Sequence, residues 1–330
     1  MPENIDITKI HEAAQAIRDG KLVAFPTETV YGLGADALND NAVLKIFKAK
    51  GRPFQDPLIV HVNNLESANL MLKKVPDIAR ELAEKFWPGP LTIIMKKSKI
   101  VSDFITSGLD TVAIRVPDHL VALSLIKESG KPIVAPSANL FSHVSPTNAK
   151  HVIDDLDGKV DIILDSGDTL VGVESTVVDV TELPVKVLRL GGITVEELTE
   201  VTQDVLIGNR DSKEIKSPGM LKKHYAPRVK MILVEEKGKK MVSRIVDLAS
   251  GFRKEGKKVG IIASNENLDN YYGFLVEVLG ETRDLKTCAR NLYTKLRILE
   301  ERQCDIIISE NFNDVGLGKA IMDRLRRAAC

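Results

Sequence analysis

Short apolar runs, most of them rich in β-branched residues, recur along the chain with helical stretches between them. No other feature limits the fold as strongly. The runs at 21–25 (KLVAF), 57–62 (PLIVHV), 91–96 (LTIIMK), 112–117 (VAIRVP), 132–135 (PIVA), 160–165 (VDIILD), 175–181 (STVVDVT) and 185–190 (VKVLRL) are of strand length. Residues 8–19 (TKIHEAAQAIRD) carry apolar residues at helical spacing and end before Gly20, which predicts a helix with a glycine stop. Further helical stretches lie at 40–50, 65–73, 76–86 and 118–129. The pattern predicts an α/β domain of α+β character around a large, mostly buried sheet, with its strand order left open.

From about residue 191 the pattern loosens. Residues 208–228 are polar, hold Gly and Pro and show no period, as in a linker or ordered loop. Beyond them the rhythm becomes regular: strands at 229–235, 258–263, 273–278 and 305–309 alternate with helices near 238–254, 284–302 and 316–327. That alternation predicts a small Rossmann-like parallel-sheet unit. A chain of 330 residues suggests about two domains at roughly 150 residues each. The expected division is a first domain at 1–207, a linker or lid at 208–228 and a second domain at 229–330.

Charge and cysteine usage exclude several functions. Lys+Arg and Asp+Glu both number 46, so no global field draws in nucleic acid or an anionic membrane, and any anion site is a local cluster. No run approaches 18 apolar residues, so no membrane-spanning helix is expected. The N-terminus lacks the basic start and apolar core of a secretory signal. Cys288, Cys304 and Cys330 are late and widely spaced and read as reduced thiols, which points to the cytoplasm. The six histidines show no HxH or HExxH spacing and there is no CxxC, so no protein-built metal site is expected.

Individual motifs admit two readings each. Gly32-Leu33-Gly34-Ala35-Asp36-Ala37 has the form G-x-G-x-x-A, with Asp56 about 20 residues on as the acid of a dinucleotide fingerprint. PTETVY stands between the preceding strand and the first glycine, so a tight turn needing positive φ is the better reading. Gly130-Lys131 and Gly318-Lys319 are followed by Pro132 and Ala320, and neither makes a Walker A loop. Lys50-Gly51-Arg52-Pro53 is either a pair of cations converging on a polyanion or a solvated helix end. Pro136-Ser137-Ala138-Asn139 follows a strand, where α/β folds place ligands, although Ser and Asn also populate ordinary turns. Arg115 interrupts an apolar run and either faces solvent or grips a carboxylate; His61 sits similarly near the end of its run. Gly172-Val173-Glu174-Ser175-Thr176 is not a nucleophile elbow, and Trp87 in Trp87-Pro88-Gly89-Pro90 reads as core.

Taken in order, these strings resemble one family. Pro26-Thr27-Glu28-Thr29-Val30-Tyr31-Gly32-Leu33-Gly34, Lys50-x-Arg52-Pro53, Pro57-Leu58-Ile59-Val60-His61, Trp87-Pro88-Gly89-Pro90-Leu91-Thr92, Arg115-Val116-Pro117, Pro136-Ser137-Ala138-Asn139, Gly172–Thr176 and Leu188-Arg189-x-Gly191 look like the YrdC/YwlC family of L-threonylcarbamoyladenylate synthases. Ser217-Pro218-Gly219-Met220 and His224-Tyr225-Ala226-Pro227, followed by the small α/β unit, resemble its long two-domain form. The resemblance implies a nucleotidyltransferase with a twisted YrdC-like sheet. It would convert L-threonine, bicarbonate and ATP, with Mg2+ accompanying the ATP, into L-threonylcarbamoyl-AMP and pyrophosphate. A downstream transferase complex would then modify the adenosine beside the tRNA anticodon.

The resemblance also implies roles for residues. Lys50, Arg52, Ser137 and Asn139 match the family's K-x-R and S-x-N catalytic set. Thr29, His61, Arg115, Ala135 and Ser175 would hold L-threonine. Arg52, Asp56, Thr111, Ser137, Ser145, Arg189 and Tyr225 would hold ATP, with Tyr225 reaching back from the linker as a lid. Two positions depart from the family pattern. Asp56 stands where an amide or base is common and would repel phosphates unless magnesium bridges, and Leu221 stands where a basic residue is common. The alternative is a double-stranded RNA or tRNA-binding module, or at least weak tRNA binding. Balanced charge and 5% aromatic content argue against an RNA platform.

Overall fold

The computed structural model describes residues 7–208 and 224–330, which form two compact units. The first comprises 7–141, 145–170 and 174–208; the second comprises Ser142–Val144, Val171–Val173 and 224–330. Ser217–Met220, Leu221 and most of the expected 208–228 linker lie outside the described residues. Residues 224–228 belong to the second unit, as do the two three-residue excursions, which no change of sequence rhythm marks.

The first unit is built on a ten-stranded mixed sheet. Its strands in chain order are β1 (Val23–Phe25), β2 (Gly32–Asp36), β3 (Ile59–His61), β4 (Leu91–Lys96), β5 (Thr111–Arg115), β6 (Ile133–Val134), β7 (Ile162–Ile163), β8 (Thr176–Asp179), β9 (Val185–Arg189) and β10 (Val205–Ile207). In space they run β10-β9-β8-β4-β5-β3-β6-β2-β1-β7. Every run read as a strand from the sequence forms one. Alternation along each strand feeds two cores. On one face, Ala13 and Ile17 of the helix Ile7–Arg18 and Leu125 and Ile126 of the helix Leu120–Ser129 pack on Val23, Phe25 and Ile133. On the other, Val43, Ile46 and Phe47 of the helix Asp40–Lys50 and Leu82 of the helix Asp77–Phe86 join Leu33, Val60 and Val134. Each fully buried aliphatic or aromatic side chain contributes about 1.5–3 kcal/mol.

The Gly32–Ala37 string departs from expectation. It is neither a turn nor a dinucleotide loop: Gly32–Asp36 is β2, antiparallel to both β1 and β6, and neither glycine has a positive φ. The requirement at Gly34 is steric, because a Cβ there would stand 2.7 Å from the Phe25 ring and 2.9 Å from Ile133 Cγ2. Glycine's poor strand propensity hides such a strand in the sequence. The helices Ala149–Leu156 and Val195–Thr199 and strand β10 also go beyond the sequence reading.

The second unit is a four-stranded, all-parallel sheet of β11 (Lys230–Leu233), β12 (Val259–Ala263), β13 (Leu275–Val278) and β14 (Ile306–Ser309), in the order β11-β14-β12-β13. The helices Lys239–Lys254, Leu285–Glu301 and Gly318–Ala328 supply the connections expected from the alternating pattern. Ile245 and Ala249 pack on Ile261 and Ile308 to form its core. Within this unit the Val144 carbonyl accepts a hydrogen bond from Arg297 Nη2 at 2.5 Å, and His143 Nε2 lies 3.0 Å from a Glu300 carboxylate oxygen.

The packing at Gly34 predicts that Gly34→Ala destabilises the first unit by about 1–3 kcal/mol through overpacking of Phe25 and Ile133. Urea unfolding of the variant against the unaltered chain measures this as a lower midpoint at unchanged slope.

Candidate active site

Strand register lays one row of side chains across the sheet. Ile133 on β6 is the register partner of His61 on β3, and His61 that of Arg115 on β5. Arg115 pairs with Thr92 on β4, Thr92 with Val177 on β8, and Val177 with Arg189 on β9. Register partners point to the same face. This is the face that the helices Ile7–Arg18 and Leu120–Ser129 cover around Phe25 and Ile133. Beyond Ile133 every member of the row but Val177 is polar. Three strand spacings put Arg115 and Arg189 about 14 Å apart along it.

The residues expected to hold L-threonine converge on this row. Arg115 Nη2 donates to Thr29 Oγ1 at 2.9 Å and meets Glu28 Oε1 at 2.7 Å, and both side chains of the ion pair are 5% exposed. Thr29 Oγ1 is 2.8 Å from Thr27 Oγ1, whose own bonds to Val30 fix the loop between β1 and β2. Ser175 Oγ lies 2.8 Å from Thr92 Oγ1 and accepts from Arg189 Nη2 at 3.0 Å. Ala135 enters from the end of β6, its amide donating to the Ile59 carbonyl at 2.9 Å. His61 is buried, and burial, followed by the Arg115 charge, pushes its pKa down to about 3. Its imidazole is therefore neutral near pH 7, and Nδ1 has no hydrogen-bond partner among the described residues.

The expected phosphate-binding residues rest on a helix stop. Gly51 adopts φ 64°, and its amide bonds to the Lys48 carbonyl while that of Arg52 bonds to Phe47. This left-handed cap, followed by Pro53, ends the helix Asp40–Lys50 and sends Lys50 and Arg52 inward. Lys50 Nζ reaches the carbonyls of Ser137 at 2.5 Å and Asn139 at 2.6 Å, and Asn139 Oδ1 at 3.3 Å. It thus ties down the Ser137–Asn139 loop rather than standing in open space. Burial, helped by the Arg52 charge, holds its ammonium well below the usual lysine range. Arg52 Nη2 pairs with Asp56 Oδ2 at 2.9 Å, both side chains being almost wholly buried, and Arg52 also donates to the carbonyls of Asp56 and Pro57. Burial raises the Asp56 pKa, while Arg52, Lys50 and Arg189 pull it back. Asp56 is thereby drawn into the same charge cluster.

Ser145 Oγ donates to Glu174 Oε1 at 2.6 Å, joining the loops that carry Ser145 and Ser175. Thr111 shares the Arg115 face at the other end of β5, roughly 13 Å along the strand. Tyr225 is not on an open linker. It belongs to the second unit, 2% exposed, stacked on Tyr293 with Arg324 over its ring at 4.7 Å. Among the described residues no group of three or more His, Cys, Asp or Glu side chains is arranged to hold a metal ion, and no helix is long and apolar enough to cross a membrane.

A family model described as "Telomere recombination" matches residues 15–191, and one described as "Threonylcarbamoyl-AMP synthase, C-terminal domain" matches residues 193–330. The threonylcarbamoyl-AMP synthase of Pyrococcus abyssi is 47% identical, over 99% of this chain and 96% of its own. The chain belongs to the threonylcarbamoyl-AMP synthase family. The Bacillus subtilis threonylcarbamoyl-AMP synthase is 44% identical over 97% of this chain and 93% of its own. The crystal structure of P. abyssi Sua5 complexed with L-threonine superposes with a TM-score of 0.94, covering 99% of this chain and 96% of that one.

Three polar residues of this site carry no role in the sequence reading: Glu28, Thr92 and Glu174. Each lies inside a string that carries the resemblance. Only the fold shows Glu28 on Arg115, Thr92 on Ser175 and Glu174 on Ser145.

The neutral, buried His61 has a consequence for stability. Its folded pKa of about 3 lies below the unfolded value of about 6.5, so the unfolded chain binds the proton first. Stability attributable to His61 is complete above about pH 6.5 and falls by up to about 1.4 kcal/mol per pH unit as pH drops toward 3. Urea unfolding at pH 7, 6 and 5 is expected to show a shallower acid loss for His61→Asn than for the unaltered chain.

Proposed function

We propose that this chain makes L-threonylcarbamoyl-AMP and pyrophosphate from L-threonine, bicarbonate and ATP, as a nucleotidyltransferase. The observation that carries the reading is the polar row His61–Arg115–Thr92, extended by Thr29, Ser175 and Arg189. It offers a guanidinium, hydroxyls and a second guanidinium on one buried face. Family membership supports the same reading.

Arg115 would take the threonine carboxylate through its planar fork, and Thr29 and Ser175 would orient the rest of the amino acid beside the neutral His61. Bicarbonate and the threonine amine would condense to the carbamate with loss of water. A carbamate oxygen would attack the α-phosphorus, and pyrophosphate would leave. Arg52, Arg189 and the Ser137–Asn139 loop, held in shape by Lys50, would face the phosphate charge, with Ser145 and Thr111 assisting the nucleotide. Magnesium enters with the triphosphate as part of the substrate. Such a site supplies alignment and electrostatic stabilisation in place of covalent chemistry. Burial also keeps water from the carbamate and the mixed anhydride. The product would pass in the cytoplasm to a transferase complex that acts on tRNA.

With purified protein, pyrophosphate release is expected to require ATP, L-threonine and bicarbonate together; release unchanged by omitting threonine or bicarbonate would refute the assignment. Arg115→Lys, which keeps the charge and loses the fork, is expected to weaken threonine binding by about tenfold or more and ATP binding by less than about threefold. Calorimetric titration with each ligand measures the split, and equal losses would count against the carboxylate role.

A further inference from the structure

We infer that Glu28 receives the α-ammonium of the amino-acid substrate while Arg115 takes its carboxylate, so that the Glu28–Arg115 pair as a unit recognises a zwitterion. The inference rests on the functional reading above and adds to it the residue that selects for a charged nitrogen.

Glu28 is held rigidly. Thr27 Oγ1 donates to the Val30 carbonyl at 2.7 Å and accepts from the amides of Thr29 and Val30, closing the turn around Glu28. Its carboxylate is 5% exposed and meets Arg115 Nη2 at 2.7 Å. Neither oxygen accepts a well-formed hydrogen bond among the described residues. That is unusual, since a carboxylate has about four lone-pair sites and a buried one ordinarily fills several. His119, which feels the Glu28 charge, is engaged elsewhere: Nδ1 accepts from the Val121 amide and Nε2 lies 3.2 Å from Ser166 Oγ. Glu28 therefore presents strong acceptor capacity beside the carboxylate-binding guanidinium.

The geometry of the substrate class matches. An amino acid carries its carboxylate and ammonium on one carbon, so its two charges need partners of opposite sign that nearly touch. Arg115 and Glu28 are such partners. An ammonium brings three donors, which is what the Glu28 oxygens lack. Arg115 alone would accept any small carboxylate; Glu28 adds a preference for one bearing a positive nitrogen. Once the nitrogen is carbamoylated it carries no positive charge, and this attraction ends. Glu28 thus favours the substrate over the carbamate formed from it.

The test compares L-threonine with (R)-3-hydroxybutanoate, which keeps the carboxylate and hydroxyl and lacks the amine, by calorimetric titration of the full chain. The unaltered protein is expected to bind threonine at least about tenfold more tightly. Glu28→Gln, close to isosteric, is expected to weaken threonine by roughly tenfold to a hundredfold, with 3-hydroxybutanoate unchanged or tighter because Arg115 loses its competing carboxylate. Glu28→Asp retains the charge and is expected to bind threonine more tightly than Glu28→Gln. Comparable affinity of the unaltered protein for both ligands, or equal losses of both in Glu28→Gln, overturns the inference and leaves the functional reading intact. The comparison within the unaltered protein stands even if a variant does not fold. No threonine binding by the unaltered protein overturns the functional reading, and this inference with it.

Discussion

A guanidinium buried beneath a sheet face is tolerable only when its charge and donors are answered close by. Arg115 sets this constraint on the first unit. Its position on β5 follows from an otherwise apolar run, and its partners come from a loop more than eighty residues earlier in the chain. The same requirement recurs at the other buried cations. Arg52 is answered by Asp56, Arg189 by the hydroxyl and carbonyl of Ser175, and Lys50 by two carbonyls and an amide oxygen. Each pairing fixes a loop as well as a charge. Because these loops carry the polar residues of the site, satisfying the cations and shaping the site are one physical problem.

That solution implies a largely preorganised site. The helix stop at Gly51, the β6–Ser137 connection and the β1–β2 loop are each closed by backbone bonds before any ligand contact is needed: Gly51 to Phe47 and Lys48, Leu33 to Pro136, Ala138 to Tyr31. Rigid donors facing developing charge need little reorganisation during reaction. The neutrality of His61 fits the same arrangement, because a second cation beside Arg115 would have to be compensated in turn.

Much of the fold was legible in sequence because burial on both faces leaves an unmistakable apolar run. The helix Asp40–Lys50 and strand β4 have the bounds read from their patterns, and the second unit follows its alternation almost element by element. Strand β2 is hidden in the sequence because Gly32 and Gly34 carry no pattern, and Gly34 serves to leave room for Phe25 and Ile133. The resemblance implies a lid role for Tyr225, and the fold adds that its ring stacks on Tyr293 beneath Arg324. The site was legible as a set of strings, and its ordered resemblance to one family supplied roles. The strings do not contain the pairings: nothing near Lys50 in sequence says that its ammonium is spent on the 137–139 backbone, and nothing near Glu28 says that it meets Arg115.

The sequence by itself determined most of the element types, the change from an irregular α/β rhythm to a strictly alternating one, and the residue types available for chemistry. These depend on local periodicity, caps and breakers acting over a few residues. The tertiary structure alone decided which polar residues share a site. Strand order and register bring His61, Arg115, Thr92 and Arg189 into one row from four separate strands, and register is set by long-range burial of the whole sheet rather than by any local segment.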